Sequence, residues 1–477
     1  MYARAVALLS IALALVCVSC GDDSAEPAAS PTAMPTDSLA PAAIPEGSIT
    51  YAAADGTIWV INPDGSQARQ LIAEPVGRKH IIAEAAHYAS WSPVGHSIAY
   101  LHLIDKGPPA NGKLSSLNVL TGETRDIDDE VSSYQWIPGG GQWIPGAGGG
   151  AYVSYQRRGE VWMSDATGQA KRRLFDWAGD DYQPGLYAWS PDGRLLAYDD
   201  PRPSGGPDSV LKGYALFVMD AGGVEPRHLA DYAQISYFGS GAWSPDSRLL
   251  AYWKNEHGGS ALAGDICVMN VASAVDQCLG EFSSDQRPQW APDQARHIFQ
   301  NSEVDPDSGV VRELFPLPTA VLSWAPDSSR VAVVEGSAFG EGPRSLVIIE
   351  VAFGDRWTVD TRQANIPHAG SPGYLVGEWS PDGRYFAFGP AEPADGGRPG
   401  MYVADTQTRS TSSVLVDRAG FVVYPPDSSQ LLIQRMAEPP SIWISRPDGS
   451  APTKLADGVA LFGSGGPAPW RPASGSP

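Results

Sequence analysis

From about residue 48 onward the chain alternates short apolar runs with tight polar turns. Residues 185–230 show the pattern. Gly185-Leu186-Tyr187-Ala188-Trp189 reads as a first strand and Ser190-Pro191-Asp192-Gly193 as a turn. Pro presets φ, Asp bonds the local backbone, and Gly accepts a positive φ. Leu195-Leu196-Ala197-Tyr198 predicts a second strand. After a polar loop over 199–212, Tyr214 to Asp220 predicts a third and Arg227-His228-Leu229-Ala230 a fourth. The result is one antiparallel four-stranded sheet.

The corner of this unit recurs. Trp243-Ser244-Pro245-Asp246-Ser247 and Trp379-Ser380-Pro381-Asp382-Gly383 repeat it closely. Looser copies stand at Trp91-Ser92-Pro93, Trp290-Ala291-Pro292-Asp293, Trp324-Ala325-Pro326-Asp327 and Tyr424-Pro425-Pro426-Asp427. An internal period of roughly 45–55 residues, rich in Trp and Gly, predicts an all-β, single β-propeller of four-stranded antiparallel blades. Third-to-fourth-strand hairpins give the cleaner count, and they predict eight blades, with seven or nine open. Trp290 and Trp324 stand too close for a full blade, so the segment between them is expected to be degenerate. The first unit, Ser48 to Ile72, lacks a leading Trp-x-Pro strand, and Pro469-Trp470-Arg471-Pro472 near the C-terminus supplies one. The ring is therefore expected to close by pairing N- and C-terminal segments, which removes exposed edges.

The repeat resembles the TolB-type propeller, a WD-like family of extracytoplasmic bacterial proteins, over nearly everything after residue 48. The resemblance implies the fold and a binding module more than an enzyme.

The N-terminus sharpens the location. Arg4 precedes an apolar stretch from Ala5 to Val18, too short to span a bilayer but suited to a signal peptide over 1–19. Ser19-Cys20-Gly21 resembles a bacterial lipobox, which implies lipidation at Cys20. Cys17 stands where that family prefers Leu. Residues 20–47 are Ala/Pro/Ser/Thr-rich and predict a disordered tether, leaving 48–477 as the propeller. These features place the expected protein outside the cytoplasm, held at a membrane by its N-terminal lipid, at the cell surface or in the periplasm. Cys267 and Cys278 face each other if their segments form a hairpin, and an exported location allows a disulfide.

The net charge of −21 argues against nucleic acid as a partner. In a propeller the first-to-second and third-to-fourth turns share one face, and here they are tight. The opposite face carries the long connections, and variable loops on a rigid scaffold are where recognition concentrates. Trp177, Tyr182, Tyr232, Tyr237, Phe238, His368 and Tyr374 lie in those connections and are the candidate binding residues. The expected partner is a protein or cell-envelope polymer, and the chain is expected to be a monomer.

The aspartates of the corners are explained by their turns. The acidic runs Asp180-Asp181 and Asp126 to Glu130 lack Ca²⁺-loop spacing, so no metal and no cofactor is expected. Gly-x-Ser-x-Gly and His-Glu-x-x-His do not occur, and the 8 histidines are scattered. A binding protein is therefore expected, with an extracellular hydrolase or lyase acting in the funnel as the alternative.

Overall fold

The structure is a computed structural model. It describes residues 44–76, 89–103, 111–141, 151–176, 187–200, 214–223, 226–235, 242–254, 264–281, 289–293, 297–299, 301–305, 307–308, 310–315, 320–335, 345–359, 376–391, 400–414, 416, 419–460 and 470–471. The signal peptide predicted over 1–19, and residues 20–43 of the tether predicted over 20–47, with Cys20, lie outside the described residues.

Residues 43–477 form a compact unit built from antiparallel sheets. Sheet I holds Ile49–Ala52, Ile58–Ile61 and Arg69–Ile72, and its fourth strand is Val459–Ala460. Sheet II is seven-stranded, running from Ala89–Trp91 to Arg172–Asp176. Sheet III comprises Tyr187–Trp189, Leu195–Asp200, Ala215–Asp220 and Arg227–Asp231, close to the strands its sequence predicts. Sheet IV runs from Ala233–Gln234 to Val275–Glu281, sheet VI from Ala320–Trp324 to Arg356–Thr358, sheet VII from Val376–Trp379 to Ser410–Ser413, and sheet VIII from Ala419–Val423 to Thr453–Asp457.

Two regions depart from the expected layout. Sheet II contains two four-stranded units, because the strand Thr124–Trp136 is shared. Its first half pairs with Gly112–Asn118 and its second with Tyr152–Arg157. The second unit has its own corner, Trp136-Ile137-Pro138-Gly139, which lacks the Ser and Asp of the other copies. The segment between Trp290 and Trp324 is more than a degenerate spacer. It forms sheet V, from Ile298–Phe299, Ser302–Val304 and Val311–Glu313, with Trp290 bridged to Phe299.

Apolar residues collect between sheets rather than within them. Ala188, Leu216, Trp243 and Met269 join sheets III and IV, while Val334, Ile348, Trp379 and Phe386 join VI and VII. Ile49, Tyr51, Leu432, Ile442 and Trp470 join the first sheet to the last. Val459–Ala460 pairs with Ile49–Ala52, and Trp470 bridges Ile49. Gln434, 1% exposed, fastens this junction. Its amide donates to the carbonyls of Arg435, Ser441 and Gly458, and its Oε1 accepts from the Ala460 N–H.

Candidate functional site

The corners consume their own polar groups. In sheet III, Ser190 Oγ donates to Asp192 Oδ1 (2.6 Å) and accepts from the Leu195 N–H, while the Arg194 N–H reaches the same carboxylate. The bonds repeat at Ser244/Asp246 and Ser380/Asp382. At Asp427, hydrogen bonds from the Ser429 hydroxyl and N–H hold the carboxyl below its usual range.

The fifth corner position joins neighbouring sheets. Ser247, Ser328 and Ser428 adopt left-handed backbone, at φ 64°, 55° and 58°. Their hydroxyls accept the N–H of Asp192 (3.1 Å), Asp293 (2.7 Å) and Asp382 (3.0 Å) from the preceding sheet. Gly193 at the same position lies against the Pro138 carbonyl, where a Cβ would come within 2.3 Å. Between sheets IV and V the link is ionisable: His297 Nε2 and Asp246 Oδ2 are 2.6 Å apart, with side chains 9% and 15% exposed. Burial alone would raise the Asp246 carboxyl, but hydrogen bonds from His297 and Ser244 outweigh it and hold it low.

The corner indoles form a second set of links. Trp136, Trp243, Trp290 and Trp379 donate Nε1–H to the carbonyls of Ser90, Ala188, Ala242 and Ser323, at 3.0–3.3 Å. Each acceptor is the residue just before the preceding corner's aromatic, and each carries a small side chain. Where that residue is larger, the direct bond is missing. Trp189, following Gln135, donates instead to Ser154 Oγ (2.8 Å), which donates on to the Gln135 carbonyl. Trp324 and Trp470, following Gln289 and Val423, have no acceptor for Nε1 among the described residues. Following Glu378, the indole is replaced by Tyr424, whose hydroxyl donates to the Pro447 carbonyl.

At the opposite end, Tyr232 is the one predicted binding residue that is described. It is half-buried with φ 55°, just before Ala233–Gln234. Trp177, Tyr182, Tyr237, Phe238, His368 and Tyr374 lie outside the described residues. Asp199 and Asp200 are fully buried where a long connection leaves sheet III, and Asp199 Oδ2 accepts the Ile235 N–H. Asp199 sits as far beyond its corner aromatic as Gln434 does, and each receives an N–H from the chain crossing to the next sheet.

Cys267 and Cys278 are cross-strand partners joined by a disulfide. Their sulfurs lie near Asp276, but in the oxidised form they offer no thiolate to a metal. Asp276 accepts from the Tyr252 hydroxyl. In the acidic run, Asp126 meets Lys113, Asp128 meets Lys171 and Arg157, and Glu130 meets Arg158.

Glu378 stands apart from these. It lies on Val376–Trp379, the end strand of sheet VII, beside the corresponding strands of sheets VI and VIII. It is exposed to solvent, yet the protein crowded around it desolvates the carboxyl and pushes it up to about 7. Phe421, 45% exposed, lies on the adjacent end strand of sheet VIII. The sequence signal for Glu378 is an acid immediately before a corner Trp, where other copies carry the neutral residues Ser90, Gln135, Ala188, Ala242, Gln289 and Ser323.

No family model matches the sequence, and no curated protein matches it. Solved structures share the fold. A eukaryotic initiation factor superimposes with a TM-score of 0.55 at 13% identity, covering 90% of this chain and 99% of its own. Dipeptidyl peptidase 4 of Porphyromonas gingivalis superimposes at 0.53 and 12% identity, covering 87% of this chain and 59% of its own. TolB of Acinetobacter baumannii superimposes with a TM-score of 0.31 at 11% identity, covering 87% of this chain and 80% of its own. The chain has an all-β fold of the propeller type, built mainly from four-stranded antiparallel sheets.

Proposed function

We propose that this chain is an extracytoplasmic, lipid-anchored propeller that binds a protein or envelope polymer through its long-connection face. In this reading the sheets form nine blades, with sheet II counted as two. The ring closes where Val459–Ala460 and Trp470 complete sheet I. One observation carries the choice of face: the corners are occupied by their own hydrogen bonds and inter-sheet links, which leaves recognition to the other end. The test is replacement of 201–213 and 255–263 by short Gly/Ser turns in the full chain, followed by co-purification from detergent-solubilised envelope. Partners lost at unchanged melting temperature are the expected result. Partners retained by the loop variants but lost on substitution of exposed corner-face residues would overturn it.

A second reading, a hydrolase or lyase acting in the funnel, draws on Glu378. A carboxyl that ionises near neutrality can donate a proton as well as accept one. Turnover of a glycan or peptide panel that disappears in Glu378→Gln would favour it.

A further inference from the structure

We propose that the corner end of the molecule rests on a zwitterionic lipid bilayer through apolar side chains at the tips of its hairpins, with the long connections turned away from the membrane. The proposal rests on the reading of the chain as membrane-anchored and adds an orientation to it.

The placement of exposed apolar side chains is the first ground. Among the described residues six large apolar side chains are exposed. Four of them, Leu120, Val275, Val310 and Phe353, lie in or at the edge of third-to-fourth-strand hairpins. Each hairpin leaves its sheet beside a corner: the N–H groups of Val119, Val271, Val304 and Val351 donate to the carbonyls of His96, Arg248, His297 and Ser329. The tips therefore stand at the corner end. Val275, Val310 and Phe353 belong to sheets IV, V and VI, and apolar clusters join IV to V and V to VI. The equivalent turns of sheets I, III and VIII are Pro63-Asp64-Gly65, Ala221-Gly222-Gly223 and Pro447-Asp448-Gly449, with no large apolar side chain. Single exposed apolar residues are ordinary. Three on consecutive sheets at one end, with Phe353 83% exposed, are a concentration.

The point where the chain enters is the second ground. Ile44, 2% exposed, packs with Trp91, Leu117 and Val119, beside the Leu120 hairpin. The Gly47 N–H donates to the Arg471 carbonyl and the Arg471 N–H to that of Ser48, as across a corner turn. Arg471 Nε also donates to the carbonyl of Gly95, in the corner of sheet II. The chain before residue 44 therefore joins the compact unit at the corner end, and a lipid at Cys20 would draw that end to the membrane.

The chemistry of the tips selects the occupant. They are single side chains on separate hairpins. Such tips enter a headgroup layer one by one, whereas a protein interface needs a continuous packed core. Asp276, Asp305, Asp307 and Asp355 flank them, and the nearby Arg248, Arg312 and Arg356 are engaged by Asp307, Glu303 and Glu335. This surface repels anionic lipid, which leaves a zwitterionic bilayer as the fitting partner.

The test floats the chain from residue 21 onward, which keeps the whole compact unit but has no Cys20, with phosphatidylcholine vesicles. Saturable co-flotation is expected, and it should weaken when half of the lipid is phosphatidylglycerol. Phe353→Ser should lower partition about tenfold, the loss expected when one aromatic side chain stays in water, with an unchanged melting temperature because the side chain is exposed. Short Gly/Ser turns in place of 201–213 and 255–263 should leave flotation unchanged. No flotation, equal flotation by Phe353→Ser, or preference for phosphatidylglycerol would each overturn the proposal. Dimers that dissociate in Phe353→Ser, without flotation, would overturn it by giving the tips to a second copy. A full chain retained on membranes, with no flotation of the chain from residue 21, would overturn the proposal and leave the anchor standing. Flotation of that chain, with a full chain washed from membranes, would support the footing and remove the anchor.

Discussion

Ser154 is fully buried and holds three polar contacts: it accepts from Trp189 Nε1–H and the Tyr187 hydroxyl and donates to the Gln135 carbonyl. It relays the indole N–H to the Gln135 carbonyl. Ser154→Ala leaves the buried Trp189 Nε1–H without its acceptor, a loss that costs about 1–3 kcal/mol. The variant should unfold at lower denaturant concentration with an unchanged slope; an unchanged midpoint would show that the relay carries no stability. Residue types at the corners were readable from the sequence because their bonds are local. Ser190, Pro191 and Asp192 satisfy one another within a single turn. The role of Ser154 was not readable, since its partners belong to other strands.

At the scale of the element, the alternation of Gly and Ser at the fifth corner position has two causes. Gly193 is required by the Pro138 carbonyl beneath it, whereas Ser247 accepts the strain of left-handed backbone in return for a bond to Asp192. Ser247→Ala keeps the strain and loses the bond, so it should destabilise by about 1 kcal/mol. Ser247→Gly loses the bond but relieves the strain, a difference of similar size, and should be near neutral. Chemical denaturation of both variants checks this; equal losses would remove the strain from the account. Most strands were legible by period and by turn residues. Sheet V was not, because strands of two and three residues barely register as a pattern. The second corner of sheet II was also missed, because Trp136-Ile137-Pro138-Gly139 lacks the Ser and Asp that mark the others.

At the scale of the whole molecule, the last sheet meets the first at Gln434. Its amide reaches three carbonyls and its oxygen takes the Ala460 N–H, beside the strand that completes sheet I. Gln434→Ala should cost about 3 kcal/mol, as expected when several buried polar groups lose partners together. Amide exchange should then speed up at Val459–Ala460 and Ile49–Ala52 before it does in sheets III or VI. Uniform acceleration would mean that the junction does not open first. The C-terminal contribution was anticipated at Trp470, but Val459–Ala460 was not, since two residues after a hairpin give no periodic signal.

The candidate site divides in the same way. The sequence by itself determined that the chain repeats, that its units are antiparallel sheets, and that the corner aspartates belong to turns, because each rests on contacts a few residues long. Only the tertiary structure decided how the sheets are linked. Ser247, His297 and Gln434 find partners from 26 to 55 positions away, and no local pattern encodes such pairs. It likewise decided that Glu378, one acid among many in the sequence, stands in a crowded seam. Crowding by neighbouring strands, which shifts a carboxyl's ionisation, is a property of the assembled sheets and not of the residue.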